Sequence, residues 1–313
     1  MEMLKVDNKF LEKLLPEKVR EHMQCDVKSL TFIGGGSFGK VFKAELTDGR
    51  IIAVKAFRVQ GSQLEEASQL KTLSENTSVP MPEVLFTHKS EDCAVMAMGF
   101  IDGSNVLNPI FLFKSKDKKL KFAQSVVEGM LEWHSVTAEK FGSLETPLYD
   151  TWKEYYKKEK QEPWLKALTE LSEKGKYSKK SLELLKKATE IYNALPTEES
   201  IPVLIHGDLN IMNIMADKKT LSLTGFIDPC GSIWADREYD LFQLRNMWGD
   251  SFYLYDTYKK IHPLSENADF RVAYYAAMHE ASMRLKGGLI MPLWEELNNM
   301  SLRKEMKKLT WLY

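Results

Sequence analysis

The stretch FIGGGSFGKVF, residues 32–42, fits three arrangements for holding phosphates. Gly34, Gly36 and Gly39 satisfy GxGxxG, which opens a dinucleotide-binding crossover or covers a nucleotide in a small β lobe. Gly34, Gly39 and Lys40 also come within one residue of the pattern GxxxxGK[ST]. The residues that follow decide. VFKAEL (41–46) and IIAVKAF (51–57) flank Thr47-Asp48-Gly49-Arg50, and Asp-Gly between two β-rich runs predicts a hairpin whose two central residues take positive φ. A dinucleotide fingerprint or a P-loop must run from strand into helix, so that the helix N-terminus faces the phosphates. Here the glycines lead into a strand, and Val41 stands where a P-loop needs a hydroxyl for magnesium. What remains is a flap between antiparallel strands. Its small residues, Ser37 among them, let backbone N–H groups approach phosphate oxygens.

Outward from the flap, Phe10, Leu11, Leu14 and Leu15 have the spacing of a short amphipathic helix. LEEASQLKTL (64–73) places Leu64, Ala67, Leu70 and Leu73 on one helical face, and AVMAMGF (94–100) reads as a strand ending at Asp102-Gly103. Residues 1–100 are thus expected to form a small β-rich lobe with one main helix, and residues 101–313 a larger helical lobe. In the second, FAQSVVEGMLEWHSV (122–136) and SLELLKKATEIYNAL (181–195) carry helical periodicity, with Leu185, Ala188, Tyr192 and Leu195 as a buried stripe. A charged, aromatic insertion lies between them at about residues 149–176; Trp152, Tyr155 and Tyr156 at helical spacing read as core ahead of substrate stacking.

The chemistry concentrates in IPVLIHGDLNIMNIM, residues 201–215. An apolar strand delivers His206-Gly207-Asp208, and Asn213 follows five residues after the aspartate. A second strand delivers TGFIDPC, with Asp228 twenty residues after Asp208, and Lys55 lies sixteen residues after Gly39. Alone, each is a common turn or strand fragment. In this order they supply the parts that phosphoryl transfer needs, where catalysis is positioning and electrostatic stabilisation. Asp208 is the candidate base, Asn213 and Asp228 offer hard oxygens for Mg2+, and Lys55 neutralises phosphate while a helix carboxylate holds it. Glu66 fits that last role better than Glu65, because Leu70 and Leu73 then follow at four and seven residues on the inward face. No second histidine or cysteine stands at ligand spacing from His206, so bracing the loop is its expected role.

Composition narrows the partners. The chain has 313 residues, 44% hydrophobic and 28% charged, the balance of an ordinary globular protein. With 43 basic and 44 acidic residues there is no surplus cation for nucleic acid or an anionic membrane. The lysine-rich KSKDKKLKF (114–122) reads as a solvated helix face with its flanking loop. Cys25, Cys93 and Cys230 are few, odd and far apart, which suits a reducing cytoplasm, and MEMLKVDNKFLEKLL lacks the apolar core of a signal peptide.

Together HGDLNIMN (206–213), TGFIDPC (224–230) and DREYDL (236–241) resemble the aminoglycoside phosphotransferase superfamily. WHSVTAEKFG (133–142), Asp150-Thr151-Trp152 with Tyr155-Tyr156, and the segment Ala235 to Leu241 are most similar to its fructosamine kinase branch. The resemblance implies an α+β, bilobal, protein-kinase-like fold: a small antiparallel sheet with one main helix, then a mainly helical lobe. It implies an ATP- and Mg2+-dependent kinase acting on a hydroxyl of a small sugar or amino-sugar-like acceptor. Asp208 is then the base, Asn213 and Asp228 the metal ligands, Lys55 and Glu66 the phosphate-binding pair, and Met98 to Phe100 the hinge beside adenine. This chain has Asn210 where the branch usually carries tryptophan, a position that can lie against the sugar.

Two other readings compete. A protein Ser/Thr kinase would carry arginine at Gly207 and a longer activation segment than the seven residues between Asp228 and Asp236. A nucleotide-binding scaffold would have lost the lysine, the base or a metal ligand, and all are present. For the acceptor, Asp150 and Glu280 are candidates for an amine and His279 for a hydroxyl.

Overall fold

The computed structural model describes residues 4, 6–36, 38–196, 200–285 and 292–309; Ser37 lies outside them. Helix α1 (Asn8–Met23) starts where the Asp7 carboxylate accepts a hydrogen bond from the Phe10 backbone N–H at 2.9 Å. It is longer than the sequence pattern indicated, because burial continues past Leu11 and Leu15 to Val19. Strands β1 (Val27–Gly35), β2 (Gly39–Leu46) and β3 (Ile51–Phe57) are followed by α2 (Ser62–Ser74), β4 (Val84–Lys89) and β5 (Ala94–Gly99). The five strands form one antiparallel sheet in the order β1-β2-β3-β5-β4. Alternation gives it two apolar faces. Phe42, Ala44, Ile52 and Val54 pack against Leu11, Leu15 and Val19 of α1. Ala53, Phe57, Met96 and Met98 pack against Leu70 of α2.

Two local expectations change. Leu64 is 53% exposed while Glu66 is buried, so the inward face of α2 is rotated toward Gln63, Glu66, Leu70 and Leu73. In the β2–β3 turn only Gly49 has positive φ, at 89°. The connection is therefore not the two-residue turn inferred from Asp-Gly. It is a four-residue loop in which the Asp48 carboxylate accepts from the Arg50 backbone N–H at 3.0 Å.

The second lobe contains β6 (Ser104–Asn105), α3 (Lys116–His134), β7 (Phe141–Ser143), β8 (Pro147–Tyr149) and α4 (Trp152–Tyr156). A π-helical turn (Lys157–Gln161) leads into α5 (Glu162–Glu173), and α6 (Lys179–Ala194) follows. Four short strands come next: β9 (Val203–Leu204), β10 (Ile214–Ala216), β11 (Leu223–Phe226) and β12 (Ile233–Ala235). The chain closes with α7 (Glu238–Leu241), an irregular 3-10 run (Gln243–Phe252), α8 (Leu254–Ile261), α9 (Ala268–Met283) and α10 (Pro292–Lys308). Small sheets β11-β10-β6 and β8-β7-β12-β9 sit beside the helices. Among the described residues no helix is long and apolar enough to cross a membrane.

The expected stripe on α6 is buried, and so are Trp152, Tyr155 and Tyr156, which belong to the core. Several polar groups of this core pair with one another, while the Tyr156 hydroxyl is buried without a hydrogen-bond partner. Trp152 Nε1 donates to the Tyr275 hydroxyl at 2.9 Å, Tyr192 and Tyr275 hydroxyls lie 3.1 Å apart, and Gln161 Nε2 donates to Tyr274 at 2.9 Å. One carboxylate joins the lobes. Glu132 of α3 accepts from the hydroxyls of Thr77 at 2.7 Å and Ser78 at 2.6 Å, in the linker between α2 and β4.

The flap glycines are not equivalent. A Cβ on Gly39 would sit 2.2 Å from the Ala56 carbonyl oxygen, whereas one on Gly34 would meet nothing within 4 Å. Gly39→Ala should therefore cost about 1–3 kcal/mol in chemical denaturation, and Gly34→Ala should stay within about 0.5 kcal/mol of wild type. Equal effects of the two substitutions would contradict the close approach of β2 to β3.

Candidate active site

Lys55 lies mid-strand on β3, opposite Val41 in the β2–β3 register, and points to the α2 side of the sheet. It is 5% exposed. Its ammonium donates to Glu66 Oε2 at 2.6 Å and to Asp228 Oδ1, so one cation bridges α2 of the first lobe and the loop after β11 of the second. Burial opposes the charge, but the Asp228 and Glu66 carboxylates more than offset it and raise the lysine pKa. Lys55 stays an ammonium. Asp228 has φ 56°, an uncommon conformation for a residue other than glycine, and its side chain remains 47% exposed toward the cleft.

Residues 205–213 form the loop between β9 and β10. Asp208 is held by three amides: Oδ1 accepts from Asn210 Nδ2 at 2.9 Å and Gln243 Nε2 at 2.8 Å, and Oδ2 accepts from Asn213 Nδ2 at 3.0 Å. Burial, and then the charge of Asp228, push the Asp208 carboxyl up to about 7, against the pull of the Asn210 and Asn213 hydrogen bonds. Asn213 Nδ2 also donates to the Asp208 carbonyl at 2.7 Å. That amide group is committed, and among the described residues nothing donates to Asn213 Oδ1. Asn210 turns inward: its Oδ1 accepts from the Met212 backbone N–H at 2.9 Å, and its side chain is buried.

Behind the loop stands a carboxylate whose role was not anticipated. Asp240 is fully buried and accepts from the backbone N–H groups of His206 at 3.1 Å and Gly207 at 2.9 Å. His134 approaches the same carboxylate at 3.3 Å. Gly207 takes φ 80°, and a Cβ there would sit 2.4 Å from the Cys230 carbonyl oxygen, which explains glycine at this point of the loop. His206 braces the loop from inside: Nδ1 accepts from the Asp208 N–H at 3.3 Å, and the His206 carbonyl accepts from Ser232 Oγ at 3.0 Å. Burial pushes its imidazole down to about 4, so it is neutral near pH 7. Asp240 lay within the DREYDL segment, but nothing in spacing distinguishes a loop anchor from a surface acid. Gln243 carried no sequence signal at all.

The residues expected beside the nucleotide fall on and next to one face of the small sheet. Val41, Ala53, Met98 and Phe100 share an apolar cluster next to Lys55, Gly34 lies near the end of β1 opposite Val41, and Gly36 follows in the turn to β2. On the other side of Asp208 is a cavity of about 110 Å³ lined by Phe38, Lys160, Trp164, Tyr239 and His279. Of the acceptor candidates, His279 is on that cavity. Asp150 pairs with Lys140 at 3.1 Å and borders a separate cavity of about 210 Å³ with Asp236 and Arg271. Glu280 is pushed up to about 7 by burial and by Glu295, with Arg284 opposing.

Related proteins share this arrangement of elements. A structure assigned as a fructosamine-3-kinase from Thermobifida fusca superposes with a TM-score of 0.68 at 21% identity, covering 94% of this chain and 99% of that one. The GDP complex of an aminoglycoside 2'-phosphotransferase of type IIIa matches with a TM-score of 0.68 at 16% identity, covering 96% and 98%. The fold is therefore the bilobal one expected. In sequence, a probable ketoamine kinase of Staphylococcus aureus is 24% identical over 277 residues, 83% of this chain and 88% of that protein. The uncharacterized YcbJ of Escherichia coli is 22% identical over 198 residues, and the match spans 62% of this chain and 65% of that protein's length. The family model for fructosamine kinase matches residues 20–283, and the chain belongs to the fructosamine kinase family.

Proposed function

We propose that the protein transfers the γ-phosphoryl group of ATP to a hydroxyl of a sugar or amino-sugar-like small molecule, of the fructosamine, ketosamine or aminoglycoside type. The observation that carries this reading is the convergence of Lys55, Glu66 and Asp228 between the lobes, beside an Asp208 carboxylate held by three amides. Residues 1–100 act as the nucleotide-binding domain and residues 101–313 as the catalytic and acceptor-binding domain. Adenine lies against Val41, Met98 and Phe100, and the flap of Gly34, Gly36 and Gly39 covers the phosphates.

Lys55 neutralises phosphate oxygens, and Glu66 keeps it pointed there. The acceptor sits in the cavity shared by Asp208 and His279. Asp208 accepts a hydrogen bond from the attacking hydroxyl, orients it toward the γ-phosphorus, and takes its proton as the new P–O bond forms and the bond to ADP breaks. The donor set fits Mg2+. Asn213 has its carbonyl oxygen to offer once its amide group is spent on Asp208, and Asp228 presents a half-exposed carboxylate. When bound there, Mg2+ supplies neutralisation of the phosphate charge that builds up in the transition state.

Membership of the fructosamine kinase family and the name of the Staphylococcus aureus relative support a ketoamine acceptor. The small cavity beside Asp208, about 110 Å³, suits a small molecule better than a peptide. An ATP-consumption screen over glycated amines, aminoglycosides, choline-like alcohols and simple sugars should give turnover with at least one amine-bearing sugar. Nucleotide binding with no phosphate transfer to any of them would favour the scaffold reading.

Three substitutions test the roles. Asp208→Asn should lower kcat at least about a hundredfold with nucleotide affinity nearly unchanged; more than a tenth of wild-type activity would contradict the assignment. Lys55→Met should weaken ATP binding as well as kcat, measured by titration and steady-state kinetics. Gln243→Leu removes one donor from Asp208, and kcat should fall about tenfold with little change in the ATP KM. An unchanged kcat there would show that Asn210 and Asn213 alone position the carboxylate.

A further inference from the structure

The first lobe carries a second cluster of metal-ligating side chains, remote from the cleft in chemistry and in place. His22, in the last turn of α1, and His88, on β4, meet with Nε2 and Nδ1 3.0 Å apart. Glu21 is adjacent, and one ligand atom from each of the three lies within 4.8 Å of the others. In a tetrahedral zinc site with Zn–N distances of about 2.0–2.1 Å, two ligating nitrogens stand about 3.3 Å apart. The histidine pair is already near that bite. The His22 ring is also fixed, stacked on Phe86 of β4 with centroids 4.5 Å apart and planes at 11°.

We propose that Glu21, His22 and His88 form a binding site for a borderline divalent transition-metal ion of the Zn2+ class, with solvent in the fourth position. The donor set selects the metal. Imidazole nitrogens suit Zn2+, Cu2+ or Ni2+ and not Mg2+, which takes oxygen ligands. The site is therefore chemically distinct from the oxygen donors of Asn213 and Asp228. Lys18 competes for the carboxylate, donating to Glu21 Oε2 at 2.8 Å, which leaves the other oxygen for the metal.

The consequence is mechanical. β4 is at an edge of the five-stranded sheet and α1 is the first helix of the chain. An ion coordinated by His22 and His88 cross-links the two without touching the phosphate-binding face. Calorimetric titration of the nucleotide-free protein with Zn2+ should show one saturable site and a raised thermal midpoint, neither reproduced by Mg2+. His22→Ala and His88→Ala should each weaken Zn2+ binding by more than about 100-fold, beyond the loss typical of an outer-sphere partner. Lys18→Met should tighten it. Both alanine variants should keep wild-type turnover with Mg2+ and ATP. Absence of saturable Zn2+ binding would overturn the proposal, as would binding that survives the His22→Ala, His88→Ala double substitution.

Discussion

A single ammonium group, buried between two carboxylates from different lobes, is the constraint on which the rest of the structure turns. Lys55 and Glu66 have side chains only 6% and 10% exposed, so neither charge can be satisfied by water. Removing a partner from a buried pair of this kind costs about 3–5 kcal/mol, because the remaining charge is stranded. The sheet must therefore keep Lys55 in the register that faces α2, and α2 must present Glu66 and not Glu65. The third member, Asp228, reaches the cluster through a left-handed backbone conformation at the end of the β10–β11 hairpin. Such a conformation persists only where surrounding contacts over-determine it.

The second lobe fixes its side of the cleft by a different device. The loop around Asp208 has little regular structure of its own, since β9 contributes two residues and β10 three. Its shape comes from a buried carboxylate taking two backbone N–H groups, a buried neutral imidazole and a glycine that nothing larger can replace. The aromatic layer beneath, Trp152, Tyr156, Tyr192 and Tyr275, is apolar in bulk with its hydroxyl and indole groups largely chained together. Trp152, Tyr192 and Tyr275 line the cavity that Asp150 borders, while Tyr239, in ring contact with Trp152 and Tyr275, lines the one beside Asp208 and His279.

The legible parts of the sequence were those in which residue type and chain order carry the information. Strand-to-strand polarity around the glycines, the presence of the β2–β3 hairpin, and the order of Lys55, Asp208, Asn213 and Asp228 along the chain all depend on residue pattern, and the architecture follows from them. The rotation of α2 was harder, because Leu64 counts as apolar in any periodicity while the requirement to pair Lys55 draws Glu66 inward. Asp240 and Gln243 were beyond reach for a related reason. Each acts on a backbone or carboxylate about 35 residues away in the chain, and only tertiary packing makes that neighbourhood. The inward turn of Asn210 likewise rests on hydrogen bonds within a tight loop that composition does not reveal.

The grip of Glu132 on Thr77 and Ser78 has a further consequence for how the lobes are joined. Two residues on, the Pro80 carbonyl accepts from the Phe226 N–H at 3.0 Å, so the same short linker is pinned at both ends to the larger lobe. Residues 77–80 are therefore tied to the larger lobe although they lie between α2 and β4, and together with the Lys55–Asp228 contact they fasten the small lobe at two separate places.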